Sequence, residues 1–242
     1  MEQHEHIVRS YEEELALLNN TIARMGGLAE QVLGQAIEAL ERRDAELAGA
    51  TIKQDEEIDD LQRQIEAQAV VMIARRQPMA YDLRQIMAAL RISIDLERIG
   101  DLGKNIAKRA VAVVTEQQPK QLMLGLKHMG ELALGQLKDV LDAFIERDAD
   151  RALKVWYKDE EIDAMYNSLF RELLTYMMED PRNIGLCTHL LFGAKNIERI
   201  GDHATNIAET VYYLVSGAAI VDRRPKSDTT SSTPIALKRS AG

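Results

Sequence analysis

The feature that most constrains the fold is an internal repeat of two acidic motifs. The sequence DEEID at residues 55–59 recurs at residues 159–163, an offset of 104 residues. The sequence ERIGD at residues 97–101 recurs at residues 198–202, an offset of 101 residues. Similarity at a spacing of about 100 residues indicates that the 242-residue chain contains two copies of one structural unit.

Apolar residues recur within the copies at steps of three and four, which is the spacing of one face of an α-helix. One stripe is Ile58, Leu61, Ile65, Ala69 and Met72, and another is Leu83, Ile86, Leu90 and Ile94. The chain has only 14 Gly, 5 Pro and 11 aromatic residues (3 Phe, 1 Trp, 7 Tyr), too few for a sandwich or barrel of many strands. We therefore predict an all-α fold of two pseudo-symmetric three-helix bundles.

Capping signals give the helix boundaries. Asp44 and Asp148 are placed to cap helices that restart after a tight bend, and Asp180-Pro181 is typical of a helix start. The predicted helices span about residues 7–42, 45–76, 79–116, 121–146, 149–178 and 181–217. The predicted units are a first three-helix repeat at 1–117, a second at 118–221 and a disordered basic tail at 222–242.

The charge of the chain is unevenly distributed. The formal net charge is −9, and the tail from residue 222 onward carries +3, so residues 1–221 carry −12. An acidic body disfavours binding to DNA, RNA or anionic lipid, because attraction to phosphate depends on clustered lysine and arginine. We expect no nucleic-acid partner, and we expect any role in gene control to act through another protein.

Cysteine usage and hydropathy indicate the compartment. Cys187 is the only cysteine, which excludes an intrachain disulfide and a cysteine-based zinc site and fits a reducing environment. The polar, acidic N-terminus is unlike a secretory signal, and no apolar run approaches the roughly 18–20 residues of a spanning helix. We expect a soluble, cytoplasmic protein.

The repeated motifs carry acidic residues four positions apart, which places each pair on one helix face. Like charges at this spacing destabilise a helix, and bringing two pairs together across a bundle costs more unless protons or a cation compensate. Carboxylate oxygens with an amide oxygen form a hard donor set that suits Mg²⁺, Mn²⁺, Ca²⁺ or iron, and zinc less well. The predicted metal ligands are Asp55, Asp59, Glu97, Asp101 and Asn105 in the first copy, and Asp159, Asp163, Glu198, Asp202 and Asn206 in the second.

A second interpretation of these carboxylates stays open, because acidic pairs are common on solvated helix faces and also form docking patches for partners. Recurrence of both pairs in both halves favours metal, but the pattern does not distinguish Fe, Mn, Mg and Zn. Gly100 and Gly201 interrupt the motifs at a cost of about 1 kcal/mol each relative to alanine, so we expect a neighbouring helix to approach closely there. Arg98 and Arg199 are expected to pair with acids on an adjacent helix.

No catalytic constellation accompanies the acidic motifs. The sequence has no Ser-His-Asp set, no phosphate-binding glycine loop and no Glu-x-x-His motif of the kind found in di-iron bundles. His203 follows Asp202 and is expected to face solvent, away from the carboxylates. We expect a protein that is not an enzyme. The alternatives are a carboxylate-bridged multinuclear metal-binding protein with a storage or redox function, and a helical scaffold without metal.

The chain resembles the PhoU family of phosphate-uptake regulators over roughly residues 7–217. The motifs that carry the resemblance are MGGLAE at residues 25–30, IARRQP at 73–78, DLR at 82–84, LERIGD at 96–101, YMMED at 176–180 and IERIGD at 197–202. The second copy departs from the first at the RQP…DLR signature and has EDPRNI at residues 179–184 instead.

The resemblance implies two three-helix bundles side by side, in a protein that is often a homodimer. It also implies multinuclear metal clusters held by Glu/Asp-x-x-x-Asp motifs, which here match Asp55/Asp59, Glu97/Asp101, Asp159/Asp163 and Glu198/Asp202. It further implies a negative regulator of the phosphate-starvation response that links the ATPase of the phosphate transporter to a PhoR-type sensor histidine kinase. Contact with the membrane would then occur only through these partners.

Overall fold

The computed structural model describes residues 2–116 and 119–222, with side chains from residue 11 onward except that of Asp159. All regular elements in these ranges are helical. The α-helices are α1 (Glu2–Arg42), α2 (Ala45–Arg76), α3 (Tyr81–Ala112), α4 (Lys120–Glu146), α5 (Ala149–Tyr157), α6 (Asp159–Glu179) and α7 (Ile184–Ser216). The tail predicted to be disordered lies, from residue 223, outside the described residues.

Two tight bends confirm the predicted helix restarts. Arg43 and Arg147 adopt the left-handed conformation, with φ of 57° and 56°, and each ends a helix. The side chain of the next residue then caps the following helix: Asp44 accepts a hydrogen bond from the Leu47 amide, and Asp148 accepts one from the Arg151 amide, both at 2.9 Å. Positions 104 residues apart in the sequence thus have the same local structure.

The helix predicted at 149–178 is wrong in one respect, because Lys158 divides it into α5 and α6. At this point the carbonyl oxygen of Lys158 accepts the backbone amide of Glu161, three positions further on, at 3.1 Å, and also accepts the side-chain amide of Gln136 on α4 at 2.9 Å. The residue equivalent to Gln136 in the first half is Val32, which has no donor, and α2 runs unbroken. The last helix also begins later than predicted, since residues Pro181–Asn183 form a 3₁₀ turn capped by Asp180.

The helices form two three-helix bundles, one of α1, α2 and α3 and the other of α4, α5–α6 and α7. The bundles pack through α3 against α7 and through α1 against α4, and their apolar side chains form one continuous core. Across residues 2–116 and 119–222, none of the helices has an apolar stretch long enough to cross a bilayer. The domain boundaries at 117 and 221 stay a prediction.

The contact between α1 and α4 repeats itself about a local two-fold axis. A methyl group added at Gly26 would lie 2.6 Å from Cδ2 of Leu141, and one added at Gly130 would overlap the side chain of Ile37. Gly130 is the equivalent of Gly26 at the offset of 104, and Leu141 is the equivalent of Ile37. Each half therefore inserts an aliphatic side chain over a glycine of the other half.

Candidate acidic sites in the two bundles

Glycine in the repeated ERIGD motif allows two helices of each bundle to approach closely. A methyl group at Gly100 would lie 2.8 Å from Cδ1 of Ile58 and 3.2 Å from Oδ1 of Asp55. One at Gly201 would lie 2.9 Å from Cδ1 of Ile162, the residue equivalent to Ile58. The expected close approach is confirmed, and it brings the acidic residues of the DEEID and ERIGD motifs together.

Asp55 and Asp59 of α2, together with Glu97 and Asp101 of α3, form the first cluster. A lysine lies among these carboxylates. The Nζ of Lys104 donates to a carboxylate oxygen of Asp55 on α2 and, at 2.8 Å, to Oδ1 of Asp101 on α3. Asp55 is only 3% exposed, and its other oxygen, Oδ1, is buried without a hydrogen-bond partner among the described residues. Burial acts to lower the pKa of Lys104, but the bonds to the two carboxylates outweigh that effect and raise it.

Electrostatic coupling shows that the four carboxylates of the first copy form one cluster. Burial raises the pKa of Asp55, and repulsion from Asp101 and Asp59 acts in the same direction, against the effect of Lys104. Burial also raises the pKa of Glu97, and Asp101, Asp59 and Asp55 add to that shift. Both residues therefore bind a proton more readily than an ordinary carboxylate, as expected where negative charges converge.

Arg98 lies beside the first cluster on its own helix. Its guanidinium is 3.5 Å from Oε2 of Glu97 and 3.8 Å from Oδ2 of Asp101. The expectation of a partner on an adjacent helix is wrong for Arg98, because its side chain lies along α3, within reach of acids one and three positions away.

The second cluster is built around Glu198. Burial raises the pKa of this residue, and Asp202 and Asp163 raise it further, whereas Lys195 acts in the opposite direction. The Nζ of Lys195 lies 2.9 Å from Oε2 of Glu198. Asp163 is buried on α6. The side chain of Asp159 lies outside the described residues.

The two predicted asparagine ligands lie further along α3 and α7. Asn105 is half-buried. The side-chain amide of Asn206 donates to Oδ1 of Asp95 at 3.3 Å, across the contact between the two bundles. His203 joins the same contact, with Nδ1 2.8 Å from Oδ1 of Asp95. Its side chain is only 19% exposed, so the prediction of a solvent-facing His203 is wrong.

The donor chemistry of both clusters fits a hard cation. The partnerless oxygen of Asp55 is the kind of buried acceptor that a metal ion would satisfy. In the present side-chain positions, however, no group of three or more His, Cys, Asp or Glu residues in the described part of the chain is arranged to hold an ion. Metal binding would therefore require carboxylates to exchange their lysine partners for the ion, and the ten predicted ligands stay a prediction.

Comparison with known proteins identifies the family. The model of the PhoU domain matches the chain twice, at residues 22–110 and 126–211. The chain belongs to the PhoU family. The two matches coincide with the two bundles, and the predicted PhoU-like tandem fold is confirmed.

Two relatives match almost the whole length of this chain. A protein of Rhizobium meliloti is 58% identical over 228 residues, 94% of this chain and 96% of the relative. One of Caulobacter vibrioides (strain NA1000 / CB15N) is 54% identical over 228 residues, 94% of this chain and 99% of the relative. Both are named phosphate-specific transport system accessory protein PhoU homolog.

Solved PhoU structures share the fold. The crystal structure of PhoU from Pseudomonas aeruginosa superposes with a TM-score of 0.84 at 40% identity and covers 86% of this chain and 100% of that one. The crystal structure of the phosphate transport system regulatory protein PhoU from Streptococcus pneumoniae gives a TM-score of 0.80 at 31% identity, covering 87% of this chain and 99% of that one.

A groove between the start of α3 and the end of α7 is a further candidate site. It has a volume of about 210 Å³ and is lined by Ala80, Leu83, Arg84, Met87, Ala88, Arg91, Thr210 and Tyr213. Leu83 and Met87 in the groove are 38% and 41% exposed. Leu83 and Ile94, the two ends of the apolar stripe found in the sequence, are 38% and 47% exposed, so that stripe lies partly at the surface. The sequence analysis did not predict this groove, although two of its lining residues, Leu83 and Arg84, belong to the DLR motif.

Removing the charge of Glu198 tests the electrostatics of the second cluster. Because burial raises its folded-state pKa, ionised Glu198 opposes folding, and stability is lost as the pH rises through that pKa. We expect Glu198→Gln to raise the Tm of the metal-free protein at neutral pH. The gain should vanish below the ordinary glutamate pKa of about 4.3. Thermal unfolding from pH 4 to 8 measures this, with the exposed Glu160→Gln as control. A Tm gain independent of pH would contradict the conclusion that ionised Glu198 opposes folding.

Proposed function

We propose that this protein is a non-enzymatic regulator of phosphate transport and a negative regulator of the phosphate-starvation response. In this proposal it acts as an adaptor between the phosphate ABC transporter and a sensor histidine kinase. The observation that carries the proposal is the likeness over 94% of the chain to proteins named as accessory to phosphate-specific transport.

The net charge of the protein and one groove on its surface support an adaptor role. Residues 1–221 carry a net charge of −12, which disfavours direct contact with nucleic acid. The groove of α3 and α7 combines exposed apolar side chains, Leu83 and Met87, with the guanidinium groups of Arg84 and Arg91. Such a surface suits a helical segment of a partner with an apolar face and acidic flanks. We assign the partner contact to this groove.

Repression needs only a difference in affinity between two states of the kinase. If the adaptor binds the repressing state of the kinase more tightly while the transporter is supplied with phosphate, the population of the kinase shifts to that state. The protein acts in the cytoplasm, as a homodimer, and meets the membrane through its two partners. Its own residues transfer no chemical group in this mechanism.

A metal-binding function is the second candidate. The observation that favours it is the burial of Asp55, Asp163 and Glu198, with one Asp55 oxygen lacking a hydrogen-bond partner among the described residues. Burial first, and neighbouring carboxylates second, raise the pKa of Asp55 and Glu198. Iron or manganese bound there would serve storage, redox chemistry or the spacing of the helices. Elemental analysis of protein purified without chelator, beside Asp101→Ala combined with Asp202→Ala, tests this candidate. Equal metal content in both proteins would contradict it.

The adaptor proposal is tested in a deletion strain grown in abundant phosphate. We expect a phosphate-starvation reporter to rise to its level in starved cells, and the wild-type gene to restore repression. Met87→Asp, in the groove, should fail to restore it and should fail to capture the transporter ATPase or the kinase. Leu124→Asp is the matched control, because Leu124 is exposed on α4, which contributes no residue to the groove. An unchanged reporter in the deletion strain would refute the adaptor function.

A further inference from the structure

Lys104 lies within the first acidic cluster, although it belongs to neither of the repeated acidic motifs. Its ammonium group bonds to Asp55 of α2 and Asp101 of α3, so one side chain ties together the two helices that carry the cluster. The side chain is 23% exposed, which leaves it a route to solvent. A lysine has four rotatable bonds in its stem, so the ammonium can leave the cluster without movement of the backbone.

The second half has a different arrangement. At the offset of 101 residues, the equivalent of Lys104 is Thr205, whose hydroxyl donates to the carbonyl oxygen of Gly201 at 3.0 Å. The lysine of the second cluster, Lys195, corresponds to Ile94 of the first half. Each cluster therefore contains a cation of the chain, but the two lysines come from positions that are not equivalent. The repeated acids are matched by unrelated lysines, which is the pattern expected if each cluster needs a positive charge.

We propose that Lys104 is a tethered cation that fills the first acidic cluster, and that a divalent metal ion binds there only after displacing its ammonium group. The cluster then has two states, one filled by lysine and one filled by metal. This inference concerns the purified protein and does not depend on the transporter or the kinase.

Geometry requires the two cations to exclude each other. Asp55 and Asp101 are predicted metal ligands from different helices, and both already bond to the same ammonium group. A divalent ion held by these two carboxylates would lie within about 4 Å of that ammonium, where like charges repel each other even when water partly screens them. The buried Oδ1 of Asp55, which has no hydrogen-bond partner in the described part of the chain, would become a ligand when the lysine leaves. In the lysine-filled state only one oxygen of Asp55 has a partner, whereas in the metal-filled state both of its oxygens could bind the ion.

The test uses metal-stripped full-length protein titrated with Mn²⁺, whose free ion is counted by its paramagnetic resonance signal. Lys104→Met removes the charge and keeps most of the length of the side chain. Lys108→Met is the matched control, because Lys108 is exposed one turn further along the same helix. We expect Lys104→Met to lower the metal-free Tm and to bind Mn²⁺ on the order of tenfold more tightly than wild type, since a competing charge is removed. Lys108→Met should change neither quantity.

A second measurement uses wild-type protein, so it stands even if Lys104→Met does not fold. Acetylation with a water-soluble succinimide ester labels amines that are free in solution, and mass spectrometry locates the label. We expect Mn²⁺ to increase labelling of Lys104 and to leave labelling of Lys108 unchanged. The proposal is overturned if Mn²⁺ binds without exposing Lys104, if Lys104→Met binds Mn²⁺ no more tightly than wild type, or if neither protein binds Mn²⁺ at all.

Discussion

Trp156→Ala is expected to lower the free energy of unfolding by about 3–5 kcal/mol, the cost of deleting a large aromatic side chain from a core. Trp156 is 1% exposed, on α5. Its indole N–H donates to Oε1 of Glu209 on α7 at 2.9 Å, so the substitution removes both packing and a polar contact between helices. Stability of globular proteins is about 5–15 kcal/mol, so the loss is a large part of the total.

Chemical denaturation followed by circular dichroism measures the Trp156 effect, and two variants separate its causes. Trp156→Phe keeps most of the apolar volume and loses the N–H donor, so its cost should be about 1–2 kcal/mol. Tyr157→Ala, at the adjacent half-exposed position, should cost less than Trp156→Ala. A Trp156→Ala protein as stable as Tyr157→Ala would contradict the core role of the indole.

Gly130→Leu is expected to destabilise the contact between the two halves by about 1–3 kcal/mol, because the new side chain must displace Ile37 of α1. Ile37 is β-branched and has little rotamer freedom with which to move aside. Gly135→Leu, on the same helix, is the matched control. Apart from its chain neighbours and the backbone of its own helix, no described atom lies within 4 Å of a methyl group added at Gly135, so this change should raise stability by up to about 1 kcal/mol through helix propensity.

Combining Gly130→Leu with Ile37→Ala tests whether the two residues are coupled. The alanine leaves space that the leucine fills, so the double variant should lose less free energy of unfolding than the sum of the single losses. Gly26→Leu with Leu141→Ala should give the same result at the equivalent contact. Additive losses at both contacts would show that neither glycine is required by the packing between α1 and α4.

Local patterns in the sequence were sufficient for most of the fold. The periodicity of apolar residues placed the long helices, and the capping carboxylates of Asp44 and Asp148 placed the bends, because both signals act within a few residues. The division of α5 from α6 was not predictable in this way. It coincides with a hydrogen bond from Gln136, which reaches Lys158 from another helix, and a contact of this kind leaves no trace in the local sequence.

In the candidate sites, too, the local sequence predicted the helix faces but not the contacts between helices. The spacing of acids predicted which helix faces carry Asp55, Asp59, Glu97 and Asp101, and the structure brings these four together. Spacing did not predict that Lys104 lies between Asp55 and Asp101, because a basic residue one turn from an acid is ordinary on any helix. Whether a lysine pairs across the bundle or extends into solvent depends on the distance between helices, which only the packing around Gly100 determines.

The polar contact of Asp95 with His203 and Asn206 makes the association of the two halves selective. At the offset of 101 residues, His203 is replaced in the first half by Leu102, and Asp95 is replaced in the second half by Asn196. If two first halves paired in the same manner, Asp95 would meet a leucine and lose its imidazole partner. The two halves are thus complementary at this contact, and the first half recognises the second half in preference to another copy of itself.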